Sequence, residues 1–179
     1  MQFIENIGFL FYPLCLFSIL AMTIIAERVI FFTRLKKPKQ SLFFNDLLTI
    51  LQKNKSLDKD LRDEVITFKL LNIKEELEYG INSLRIIAVL SPMIGLLGTV
   101  IGMIKAFKII SLQNSPVVPA MIADGLWNAM LTTAYGLIIS IPALFLTFIF
   151  LRISEKYLGE LQRLVNLESF KLSKVKLDD

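Results

Sequence analysis

The sequence predicts an all-α integral membrane protein with three transmembrane helices, the second and third extending into a cytoplasmic helical bundle. Three observations predict it. The chain has 179 residues, of which 54% are hydrophobic, and its mean hydropathy of +0.60 is high for a domain bathed in water. Residues 8–26, 86–104 and 125–151 carry no charge, and each run approaches or exceeds the roughly 20 apolar residues that cross a hydrocarbon core. The remaining segments are dense in charge: 11 Lys/Arg and 8 Asp/Glu between Thr33 and Arg85, then 6 and 5 after Leu151.

Residues 1–8 carry only Glu5 and read as an N-terminus on the outer side, followed by the first span at 9–32. Arg28, Arg34, Lys36 and Lys37 gather at its far end, and basic residues favour the cytoplasmic side. A cleaved signal peptide has the opposite order, positive charge before the apolar run, so a retained span is expected. The cytoplasmic loop, 33–84, reads as helical. Ser41 is a candidate cap for "SLFFNDLLTILQ", with Phe43, Leu47, Ile50 and Leu51 on one face. "KNKS" breaks the pattern, and Leu61, Val65 and Phe68 restart it on a second helix. Ile73, Leu77, Ile81 and Leu84 carry an apolar face up to the second span, 85–110. "SLQNSPVVP", 111–119, has the turn residues of a short hairpin on the outer side. The third span occupies 120–151, and Leu158, Leu161 and Val165 mark a helical face in the cytoplasmic tail, 152–179.

Composition excludes several functions. The chain contains no histidine, so His-based catalysis and His-ligated metal sites are absent. Cys15, the single cysteine, lies within the first span and reads as a small packing residue. Neither a nucleophile–base pair nor a metal-ligand cluster is present, so neither an enzyme, a metal nor a cofactor is expected. The net charge of +4 is spread among acidic residues on helix faces, which reads as solvated surface rather than a nucleic-acid site.

Two stripes of small residues stand out. In the second span Ser91, Gly95, Gly98 and Gly102 recur at helical spacing beside Pro92, and Ala106 continues the line. In the third span Ala129, Thr133, Gly136 and Ser140 do the same, with Pro142 and Ala143 just beyond. Bulkier residues such as Ile94, Leu97, Ile101, Ile139, Leu144 and Phe148 occupy the other faces. Small stripes let membrane helices approach closely. Spacing alone permits two partners for them, the other span of the same subunit or neighbouring copies around an axis. Thr99, Thr132 and Thr133 lie on or beside the stripes. Thr99 lies about 9 Å of helix from Lys105, and Thr133 about 13.5 Å from Asp124, so the hydroxyls can share a depth. A threonine in a membrane helix often bonds its own preceding carbonyl, a purely structural role. No ionisable residue lies in the central part of any span; Asp124 and Asn128 stand near the outer end of the third, and Glu27 beside Arg28 at the inner edge of the first reads as an interfacial pair. A proton crossing here would need a carboxylate from a partner.

"SPMIGLLGTVIGMIKAF" and "IADGLWNAMLTTAYGLIISIPAL" resemble the ExbB/TolQ/MotA family of proton-channel motor subunits over about residues 84–153. The motifs are LGTV, the TA-x-GL pattern in "TAYGL", and IPA. The resemblance implies a homopentameric ring around an ExbD- or TolR-like single-span partner that carries a membrane aspartate, with a TonB- or TolA-like protein as the energised component. It implies a multi-pass protein of the bacterial inner membrane, contacting lipid and no nucleic acid. It implies pore threonines at Thr99 and Thr133, with Thr132 and Asn128 alongside. Ser91, Pro92, Gly95, Gly98, Gly102, Ala129, Gly136, Ser140 and Pro142 then become expected helix-packing or ring-interface positions. Many ExbB and TolQ proteins have a glutamate five residues before the second threonine, where this chain has Asn128. The short loop and tail favour an ExbB-like reading, with TolQ-like, flagellar-stator-like and non-conducting scaffold roles as alternatives.

Overall fold

A computed structural model describes residues 10–55, 58–112 and 119–172. Every regular element among them is helical: α1 (Phe11–Arg34), a short 3₁₀ turn (Pro38–Gln40), α2 (Leu42–Lys53), α3 (Lys59–Glu78), α4 (Ile81–Ser111) and α5 (Pro119–Leu172). Three helices are long and apolar enough to cross a membrane: Phe11–Arg34, Ile81–Ser111 and the Gly125–Lys171 stretch of α5. The expected hairpin falls largely outside the described residues.

The chain divides into two compact units, one of Asn82–Thr147 with the α1 residues up to Glu27, the other of Arg28–Ile81 with the chain from Phe148 onward. In the first unit, α4 and α5 pack along their small-residue stripes. Phe11 meets Tyr135 edge-on, with ring centroids 6.2 Å apart.

The second unit has a conventional apolar core. Phe44, Leu47 and Leu51 of α2 meet Ile66, Leu70, Ile73 and Leu77 of α3 and Tyr157, Leu161 and Val165 of α5. Burying a leucine fully contributes roughly 1.5–3 kcal/mol relative to exposure. The Ser41 cap forms as expected: its hydroxyl accepts from the Phe44 amide at 3.2 Å and donates to the Pro38 carbonyl at 2.7 Å. That satisfies one of the orphan donors that every helix start leaves.

One sequence expectation is corrected here. Leu61, Val65 and Phe68 do not form the packed face of α3; they are exposed, and the buried stripe runs through Arg62, Ile66, Leu70, Ile73 and Leu77. The Arg62 guanidinium donates to the Ser169 hydroxyl at 3.2 Å, and that hydroxyl donates to Asp63 at 3.1 Å. A charge at the head of the stripe is thus accommodated by polar partners. Ile73, Leu77, Ile81 and Leu84, expected to stay on an apolar face up to the second span, are each buried. Gly80, at φ 75°, separates α3 from α4, a backbone conformation glycine adopts without the Cβ penalty.

Arg28 closes the end of α3. Only 3% exposed, it donates to the Leu77 carbonyl at 3.3 Å and stacks its guanidinium 4.7 Å from the centre of the Phe31 ring. The Tyr79 ring lies 5.8 Å away. A cation at a helix C-terminus meets unpaired carbonyls and the negative end of the dipole.

Candidate functional site

The site lies on the α4–α5 contact, and its closeness is measurable at the glycines. A Cβ added at Gly95 would stand 2.9 Å from both the Thr132 carbonyl oxygen and the Thr133 Cα. One added at Gly136 would stand 2.6 Å from the Ser91 carbonyl oxygen. Both obstacles are backbone, which cannot rotate aside. At Gly98 the added carbon would overlap the Thr132 side chain, and at Gly102 it would stand 2.6 Å from the Ala129 Cβ. The helices therefore meet backbone to backbone, as small-residue stripes allow. Ser91, Gly95, Gly98 and Ala129, Thr132, Gly136, Ser140 are buried along this seam, while Pro92 is half-buried and Pro142 lies on the exposed side of α5. The pairing of the two spans within one subunit accounts for the stripes as packing surfaces.

The seam carries a set of hydroxyl-to-carbonyl hydrogen bonds. Pro92 has no N–H, so the Ala88 carbonyl lacks its helical donor. The Ser140 hydroxyl, from the neighbouring helix, donates to that carbonyl. Ser91 donates to the Ile87 carbonyl at 2.7 Å. Thr132, only 2% exposed, donates to its own Ala129 carbonyl at 2.7 Å and lies 3.3 Å from the Gly95 carbonyl.

Thr133 behaves differently from a self-bonded threonine. Its hydroxyl reaches across the seam and donates to the Gly95 carbonyl at 2.9 Å. In helical geometry that carbonyl is also the acceptor for the Thr99 amide, four residues on. Thr99 and Thr133 thus converge on one backbone oxygen from two helices. The Thr99 hydroxyl donates to the Leu96 carbonyl at 2.7 Å, within its own helix. Both threonine side chains remain partly exposed, unlike Thr132. The Asn128 side chain lies outside the described residues.

The chemistry available is that of neutral oxygen atoms in an apolar setting. Thr99 and Thr133 keep partly exposed side chains, and their helical neighbours Leu96, Met103 and Met130 are apolar and uncovered within this chain. Among the described residues no group of three or more His, Cys, Asp or Glu is placed to hold a metal ion. The Ser140–Ala88 bond escaped sequence reasoning. Its signal was Pro92, which marks the carbonyl four residues earlier as an orphan, but the sequence does not say which donor answers.

Comparison with known proteins agrees with this architecture. Residues 31–163 match the MotA/TolQ/ExbB proton channel family. The chain is 30% identical over 170 residues to the biopolymer transport protein exbB1 of Vibrio cholerae, covering 79% of this chain and 75% of that protein. It is 34% identical to the Tol-Pal system protein TolQ of Haemophilus influenzae over 50% of this chain and 42% of the relative. It is 40% identical to the biopolymer transport protein ExbB of Salmonella typhimurium, over 41% of this chain and 30% of the relative. The last two alignments span less than half of each relative's length. A match across most of the chain, joined to three apolar helices long enough to span a bilayer, makes this a multi-pass membrane protein of the non-enzymatic MotA/TolQ/ExbB proton channel family.

Proposed function

We propose that the chain is an ExbB-like, ring-forming subunit of a proton-driven motor in the bacterial inner membrane. With an ExbD-like single-span partner it converts the proton motive force into energisation of TonB-dependent transport across the outer membrane. Its N-terminus faces the periplasm, and the second compact unit faces the cytoplasm. The observation that carries this reading is the placement of Thr99 and Thr133. Two partly exposed threonines flank a glycine-packed seam, in spans whose central parts contain no ionisable residue. Such a surface can accommodate a proton-carrying group but cannot be one. The partner's aspartate supplies the missing group, and several copies of the seam surround it.

The TolQ-like reading shares this site and is supported by the similarity to the Haemophilus relative. The two readings differ in the partner set, ExbD- and TonB-like in one and TolR- and TolA-like in the other.

The test is native mass spectrometry of the chain co-expressed with an aspartate-bearing single-span partner, followed by transport assays with an uncoupler. A closed ring that retains the partner and loses transport when the gradient collapses is the expected result. A complex that keeps working without a gradient would make the chain a scaffold instead.

A further inference from the structure

We infer that Thr99 and Thr133 present only acceptor lone pairs to the group between them, so that the site receives a carboxyl in its protonated, hydrogen-donating form. This rests on the partner-carboxylate reading above and adds to it the direction of the hydrogen bond. A threonine hydroxyl has one proton. A carbonyl oxygen has none, so in each bond between the two the hydroxyl must be the donor. The Thr133 proton is directed at Gly95 at 2.9 Å, and the Thr99 proton at Leu96 at 2.7 Å. Thr132 offers no substitute, because its side chain is buried and its proton directed at Ala129. Each hydroxyl oxygen retains lone pairs, and both threonines keep partly exposed surface.

Two competing terms decide which form of a carboxyl is received. A carboxylate only accepts hydrogen bonds. To engage one, Thr133 would have to turn its only proton away from Gly95 and give up its hydrogen bond across the seam, and Thr99 would have to give up its own to Leu96. The carboxylate would also carry a full charge into an apolar setting with no cation in the spans' central parts. A protonated carboxyl avoids both penalties: its O–H donates to a threonine oxygen while the two existing bonds stay in place. The site therefore holds the loaded form of the carrier and releases it as the proton leaves.

Two measurements test this. The first uses the chain without partner, with its glycine carbonyls isotopically labelled, and compares wild type with Thr133→Val by infrared difference spectroscopy. One glycine carbonyl band moving to higher frequency in the variant is expected, because Gly95 loses a donor; an unchanged spectrum overturns the inference. The second follows the titration of the partner's carboxyl in the assembled complex. Thr133→Val should lower its midpoint by roughly half to one pH unit, the loss of about one neutral hydrogen bond, and Thr133→Ser should restore it. Removing a polar group would otherwise favour the neutral acid and raise the midpoint, so the sign discriminates. A raised or unchanged midpoint overturns the inference while leaving the motor reading intact. A partner that never binds would remove both, even with the carbonyl band shifted as expected.

Discussion

The Ser140 hydroxyl of α5 donates to the Ala88 carbonyl of α4, the oxygen that Pro92 deprives of its helical donor. Proline inside a membrane helix is tolerable when a neighbouring hydroxyl satisfies the freed carbonyl, since no water reaches it. Ser140 is 6% exposed, so its loss leaves Ala88 unsatisfied. Ser140→Ala should destabilise the protein by about 1–2 kcal/mol. In a Pro92→Ala background the restored amide supplies the bond, and the same change should cost less than about 0.5 kcal/mol. Unfolding from bicelles across the four variants measures the coupling; equal losses in both backgrounds would dissociate Ser140 from Pro92.

Glycines in the seam should respond oppositely to one in the tail. Gly95→Ala places a carbon 2.9 Å from the backbone of Thr132 and Thr133, forcing the helices apart at a cost of about 1–3 kcal/mol. Gly98→Leu should prevent assembly. At Gly159 an added carbon meets nothing within 4 Å, so Gly159→Ala should stabilise α5 by roughly 0.5–1 kcal/mol. Thermal scans in detergent, with gel filtration for assembly, separate the outcomes.

The contrast between stripe and seam shows what was legible. Three apolar runs are a property of composition, and the Ser91–Gly95–Gly98–Gly102 stripe of helical spacing; both are visible without coordinates. The Ser41 cap is equally local. The packed face of α3 was not legible, because Leu61, Val65 and Phe68 form an apolar line as regular as the buried one. Arg62 heads the true face, and its partner Ser169 lies 107 residues away. Burial of a charge there depends on a contact that hydropathy does not encode. The bond from Thr133 to Gly95 likewise depends on the register between two helices, whereas spacing alone offered Thr133 its own helix as partner.

Arg28 provides a test within the second unit. Its contacts with the Leu77 carbonyl, Phe31 and Tyr79 combine charge with ring stacking. Arg28→Ala should cost about 2–4 kcal/mol, because packing and the cap vanish together. Arg28→Lys should recover only part of it, since an ammonium lacks the planar stacking face. Limited proteolysis between α3 and α4 reports the loosening.

Proton flux into liposomes containing the chain and its aspartate-bearing partner tests the central claim most directly. Wild type should conduct; Thr133→Val, with the complex still assembled, should lose at least about tenfold of the flux, and Thr133→Ser should retain most of it. Undiminished flux through an intact Thr133→Val complex would contradict the placement of the proton path at this seam.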